Sequence, residues 1–189
     1  MALPHAILVS LCEQSGTGYE LARRFDRSIG YFWAATHQQI YRTLRTMEDD
    51  GWVCVEVVAQ QARPDKKVYD VTDPGRAELA RWIGAPLTGR GSAVTDGRTR
   101  ELAVKLRGVG FGGPPALRAL CAQVAELRRE RTEQLDAYLG FEKDQFPDPS
   151  ALTGSALHQY LVLRGGIRAE EGSVEWLDEV LTALGGDRG

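Results

Sequence analysis

Residues 36–72 read THQQIYRTLRTMEDDGWVCVEVVAQQARPDKKVYDVT. Thr36 and Gln39 stand at capping-box spacing, where a hydroxyl and an amide each satisfy a free backbone N–H at a helix start. Ile40, Leu44 and Met47 then recur at helical spacing and predict a buried stripe. The opposite side of the wheel carries Gln38, Arg42 and Arg45, with Tyr41 on the flank. Asp49 and Asp50 come only in the last turn, and Gly51 stops the helix. WVCVEVVA alternates and is rich in β-branched residues, and VYDVT returns, so a hairpin follows. Its connection, QQARPDKK, sets Arg63, Lys66 and Lys67 around a Pro-Asp turn. Taken separately, these are a solvated helix face and a soluble hairpin tip. Side by side they are what a DNA-binding unit needs: a helix that enters the groove by its cationic N-terminal half, and a basic ribbon that reaches the backbone.

The flanking segments support this unit. LPHAILVSLCE (3–13) predicts a helix with Pro4 in its opening turn and Leu3, Ile7, Leu8 and Leu11 on its apolar face. In SGTGYELARRFDRSIG, Gly16 allows a turn, Thr17 and Glu20 form a second capping box, and Leu21, Phe25 and Ile29 line a helix that Gly30 ends. Tyr31, Phe32 and Trp33 read as a hydrophobic plug between helices. Thr72 opens the helix DPGRAELARWIG, with Leu79, Trp82 and Ile83 inward. The aperiodic APLTGRGSAVTDG marks a linker.

Three helical stretches follow. TRELAVKLRG is short. The second runs from Pro114 to about Lys143, with the seam Leu117, Leu120, Cys121, Val124, Leu127, Leu135, Tyr138 and Phe141. At 1.5 Å per residue it would reach roughly 40 Å, and a single apolar seam of that length calls for a partner along it. The third, SALHQYLVLRGGIRAEEGSVEWLDEVLTAL, has its own seam through Leu157, Tyr160, Leu161, Ile167, Val174, Leu177, Val180 and Leu181. Gly165, Gly166 and Gly172 in its interior predict a close helix approach or a kink. The expected fold is mainly α with a small β-hairpin. A winged helix-turn-helix domain spans 1–84, a linker 85–97, and an all-α dimerisation domain 98–189.

Bulk properties narrow the function. Of 189 residues, 43% are hydrophobic and 26% charged, as in ordinary soluble globular proteins. No apolar run is long enough to span a bilayer, and the N-terminus lacks the basic flank of a signal peptide, so the expected location is the cytoplasm. Cys12, Cys54 and Cys121, like His5, His37 and His158, are too scattered for a metal site or a disulfide framework. Gly108, Gly110 and Gly113 spell Gly-x-Gly-x-x-Gly, but they follow a helix rather than a strand, so a tight helix-to-helix turn is expected and not a dinucleotide site. No metal, cofactor or catalytic constellation is expected, and the chain is read as a non-enzyme. The formal charge of −3 does not exclude DNA, because a local patch decides.

Three patterns carry a family likeness: Gly18-Tyr19-Glu20-Leu21, Ile40-Tyr41-x-x-Leu44, and Tyr69-x-x-Thr72-x-x-Gly75. Together and in this order they resemble the N-terminal domain of the PadR family, transcriptional regulators named for the phenolic-acid decarboxylase repressor. LAVKLRGVGF and YLVLRGGIRAEEGSVEWLDE are similar to the helical domain of its longer members. The resemblance implies a homodimer, joined through the helical domains, whose winged helices bind a palindromic operator. It puts Gln38, Tyr41 and Arg42 on the recognition helix, Lys66 and Lys67 on the wing, and Tyr19 on the second helix beside the backbone. Many members have Pro where this chain has Arg42, which adds a cation here.

The expected DNA-binding set is Tyr19, Thr36, His37, Gln38, Tyr41, Arg42, Arg45, Arg63, Lys66 and Lys67. The expected partners are double-stranded DNA, a second copy of the chain, and a small apolar or phenolic effector near Trp33 or Trp82, the aromatics beside the predicted hinge. The alternative is a winged-helix protein-interaction module without sequence-specific DNA binding, which the net acidity motivates.

Overall fold

The structure, a computed structural model, describes residues 3–27, 35–59, 66–88 and 97–185. Trp33, Arg63 and the Pro-Asp turn lie outside them. The elements run α1 (Leu3–Glu13), β1 (Gly16–Thr17), α2 (Gly18–Arg27), α3 (His37–Asp49), β2 (Val53–Val58), β3 (Lys66–Val71), α4 (Asp73–Gly84), α5 (Arg98–Gly108), α6 (Gly113–Gln145) and α7 (Gly154–Gly185). Short 3₁₀ turns at Val109–Phe111 and Pro149–Ala151 precede α6 and α7. The expected class, mainly helical with a small antiparallel sheet, is the one observed. The glycine-rich decoy is indeed a helix-to-helix turn, with Gly113 at φ +71° opening α6.

The chain forms two compact units: Met1–Pro86 with Arg100–Leu120, and Leu87–Thr99 with Cys121–Gly189. In the first, α1 is the hub. It packs against α2, α3, α4 and β3, so every residue from His5 to Leu11 is buried, not one face alone. Leu21, Phe25, Ile40, Leu44, Met47, Leu79 and Ile83 close around it. Burial of each large side chain contributes about 1.5–3 kcal/mol.

The sheet corrects the sequence reading twice. It has three strands, ordered β1-β3-β2, because Gly16 and Thr17 pair antiparallel with Tyr69 and Val68. A two-residue strand has no period of its own, so nothing local announces it. Lys66 and Lys67 are strand residues, paired with Val58 and Val57, and not part of the tip. The β-ladder extends two residues further than the apolar alternation, since backbone pairing is indifferent to exposed side chains.

The entry to α4 explains Thr72 and Gly75. Thr72 donates its N–H to the Trp52 carbonyl at 3.1 Å and its hydroxyl to the Gly51 carbonyl at 2.6 Å, and its oxygen accepts the Gly75 N–H at 3.2 Å. A Cβ on Gly75 would stand 2.1 Å from the Trp52 carbonyl oxygen, so only glycine lets α4 start this close to β2. The C-terminal part of α5 belongs to the same unit. Arg107 holds Glu13 through two bonds of 2.6 and 2.7 Å, and the fully buried Lys105 donates to the Ala85 carbonyl.

In the second unit α6 and α7 run antiparallel. Arg128 meets Asp178, Arg131 meets Glu170, Glu142 meets Arg164 and Phe146 meets Tyr160, in opposite chain order. Val124, Leu127, Ile167, Leu177 and Val180 form the buried part of the seam. Gly166 sits where an added Cβ would come 3.1 Å from the Tyr138 ring, a close approach, whereas Gly165 and Gly172 face nothing within 4 Å. The expected seam is too wide: Phe141 and Leu161 are exposed, as are Leu139 and Val162. Two helices side by side cover only the strip between them, and these four lie off it.

Candidate nucleic-acid interface

The α3 helix is held at its start and along its inner face, and its outer face is exposed. Thr36 is the N-cap; its side chain accepts the Gln39 N–H at 3.2 Å, and the Gln39 amide oxygen accepts the Thr36 N–H at 2.9 Å. Replacing such a cap by alanine costs about 1 kcal/mol. With Ile40, Leu44 and Met47 buried, geometry puts Thr36, His37, Gln38, Tyr41, Arg42 and Arg45 on the exposed side.

The α2 helix starts beside it. Thr17 and Glu20 form the second capping box: the Glu20 carboxylate accepts the Thr17 N–H at 2.8 Å, and the Thr17 hydroxyl accepts the Glu20 N–H at 3.2 Å. Tyr19, 58% exposed, stands in this first turn. Arg23, one turn on, lies over its ring at 5.9 Å from the centroid. Arg23 was missed in the sequence, although its i+4 spacing from Tyr19 was visible. A Cβ on Gly18 would fall 2.4 Å from the Tyr41 ring, so the glycine is what lets Tyr41 lie across the start of α2.

Between α2, α3 and the ribbon lies a groove of about 590 Å³, lined by Thr17, Gly18, Tyr19, Glu20, Tyr41, Arg45, Glu48, Lys66, Lys67 and Tyr69. It gathers five of the expected residues: Tyr19, Tyr41, Arg45, Lys66 and Lys67. Thr36, His37, Gln38 and Arg42 continue from it along α3. The cations differ in their company. Lys66 is 3.0 Å from Glu20, while Arg42, Arg45 and Lys67 make no ion pair among the described residues. The Thr17 backbone N–H and then Lys66 hold the Glu20 carboxyl down at about 2, so it is ionised throughout the physiological range.

Trp82 is buried. Its ring stacks on His5 with centroids 4.3 Å apart, and the Lys105 ammonium lies 5.2 Å from it. His5 bonds Glu78 at 2.9 Å, and burial holds its pKa below the usual histidine value. Among the described residues no group of three or more His, Cys, Asp or Glu side chains is placed to hold a metal ion. Among them, too, no helix is long and apolar enough to cross a membrane.

Comparison with known proteins gives this arrangement a family. The chain is 68% identical over 188 residues to the probable transcriptional regulator Rv1176c of Mycobacterium tuberculosis, spanning 97% of this chain and 98% of that one. Residues 7–81 match the transcriptional regulator PadR-like family. The chain belongs to the PadR-like family of transcriptional regulators. Residues 100–185 match the virulence activator alpha C-terminal family. The negative transcriptional regulator PadR of Bacillus subtilis is 26% identical over 98% of each chain. The solved virulence activator AphA of Vibrio cholerae is 32% identical over 97% of this chain and 98% of that one, with a TM-score of 0.42.

The PadR-like patterns now have physical content. In Gly18-Tyr19-Glu20-Leu21, glycine makes room for Tyr41, tyrosine is presented, glutamate closes the cap, and Leu21 is buried. In Tyr69-x-x-Thr72-x-x-Gly75, the tyrosine is a buried strand residue and the other two set the start of α4.

Proposed function

We propose that this PadR-like regulator is a repressor that binds a palindromic operator as a homodimer in the cytoplasm, inserting α3 into the major groove. The observation that carries the reading is that Arg42, Arg45 and Lys67, without an ion pair among the described residues, share one exposed surface with Tyr19 and Tyr41, in a chain whose formal charge is −3. An unpaired surface cation beside a groove is available to phosphate without first breaking an ion pair. The contact set is Tyr19, Thr36, His37, Gln38, Tyr41, Arg42, Arg45 and Lys67, with Arg63. Repression is supported by the name of the Bacillus subtilis relative, a negative regulator.

The homodimer is supported by Leu139, Phe141, Leu161 and Val162, the last of them 78% exposed, on the two long helices of the second unit. Exposed apolar side chains gathered in this way mark an interaction surface. Two-fold symmetry then sets half-sites about one helical turn apart, roughly 34 Å. A small apolar or phenolic effector would complete the cycle by lowering operator affinity in its bound state. Of its expected contacts, Trp82 has one ring face against His5.

Selection from random DNA, followed by retardation of the DNA upstream of the protein's own gene, tests the reading. A palindrome should emerge, bound by a dimer in light scattering. Recovery of no preferred sequence at physiological salt would favour a protein-interaction module instead.

A further inference from the structure

The two wing lysines stand next to each other in sequence and on opposite faces of the ribbon. In β3, Tyr69 and Val71 point into the core, so alternation puts Lys67 on that same face, continued beyond the core toward α3. Lys66 shares the other face with Val68 and Asp70, and there its ammonium lies 3.0 Å from one Glu20 carboxylate oxygen. The second oxygen of that carboxylate accepts the Thr17 N–H at 2.8 Å. Glu20 is thus held by the helix cap before Lys66 reaches it. The pairing of β1 with β3 ends at Thr17 and Val68. Lys66–Glu20 is the next tie toward the tip, on the edge where β3 no longer has β1 beside it.

We propose that Glu20 and Lys66 form a strut that sets the wing against α2, so that Lys66 is a positioning residue and Lys67 is the ribbon lysine that meets phosphate. An ammonium neutralised at 3.0 Å by a fixed carboxylate has no net charge with which to displace counterions from DNA. This rests on the reading of the surface as a DNA interface. The strut assigns Glu20, an acid that would otherwise repel DNA, a definite task there.

The test uses the full-length protein and its selected DNA, with affinity measured across a salt series. Glu20→Gln keeps the cap, because an amide oxygen accepts the Thr17 N–H as a carboxylate does. The double variant Glu20→Gln with Lys66→Met leaves net charge unchanged. It should keep the wild-type slope of log affinity against log salt while binding about two- to five-fold more weakly, at the level of exposed ion pairs. Lys66→Arg, which keeps the pair, should bind as wild type does. Lys67→Met should make the slope shallower by about 0.9, the share of a single phosphate. A double variant whose slope falls as much as that of Lys67→Met would make Lys66 a phosphate contact and overturn the proposal. A double variant with unchanged affinity would overturn it too.

Hydrogen exchange in the free protein separates this from the parent reading. Glu20→Gln should speed exchange of the ladder amides at the register partners Val58 and Lys66 several-fold, whether or not DNA binds. Unchanged exchange would remove the strut and leave the DNA reading standing. Absence of wild-type DNA binding would remove the latter alone.

Discussion

Arginine does opposite work on α3 and on the α6–α7 pair. In the α6–α7 pair it is bound to acid: Arg128 to Asp178, Arg129 to Glu126 and Glu133, Arg131 to Glu170, Arg164 to Glu142, and Arg168 to Glu171. On α3, Arg42 and Arg45 point outward without an ion pair among the described residues. At Arg128, Arg131 and Arg164 the side chain ties one helix to the other, and on α3 it stays available to an outside anion. A count of charges cannot separate the two; the partners do.

The sharpest way to break the comparison is at Arg131 and Glu170, which are 2% and 0% exposed. Removing one partner leaves a buried charge, so Glu170→Ala should cost about 3–5 kcal/mol in chemical denaturation. A cost of less than about 1 kcal/mol would mean that the pair does not hold the helices together. Next in size, Gly75→Ala should destabilise the first unit by about 1–3 kcal/mol, because a methyl cannot share space with the Trp52 carbonyl.

By contrast, Arg42→Ala should leave stability within about 0.5 kcal/mol of wild type, as surface changes do. It should still cost about 1–3 kcal/mol in DNA affinity. A large drop in melting temperature would show that this arginine is structural after all.

The smallest expected effect concerns acid. Burial lowers the pKa of His5, so the folded state keeps its imidazole neutral. The resulting stability is fully present above the ordinary value of 6.5 and is lost as pH falls below it. His5→Phe should flatten the decline in stability below about pH 6.5, which urea titrations at several pH values would show. A second decline belongs to Glu78. Its bond to Arg81 and then to His5 holds it at about 2, so that contribution is present above 4.5 and is lost toward pH 2.

Much of the first unit was legible because its signals are local. Both capping boxes and the apolar stripe of α3 lie within a few residues of one another, and they stand in the structure as read. The helix from Thr72 to Gly84 begins and ends where its cap and its last glycine put it. What stayed hidden depends on distant pairing. The strand at Gly16–Thr17 exists only because Val68 and Tyr69 are beside it. The different surroundings of Lys66 and Lys67 follow from a carboxylate 46 residues away in sequence. The buried Arg131–Glu170 pair looked like ordinary flank charge, since periodicity shows which face a residue occupies but not what covers that face. Phe141 illustrates the reverse: an apolar residue at seam spacing that stands 49% exposed.

The central claim is that the unpaired cations of the winged helix meet DNA. Its most direct test is the salt dependence of binding to the selected DNA for wild type and for Arg42→Ala with Arg45→Ala and Lys67→Ala. The account predicts that the slope of log affinity against log salt becomes shallower by about 0.9 for each phosphate no longer neutralised, about two units or more in all, in a variant that melts as wild type does. An unchanged slope in that folded variant would contradict it.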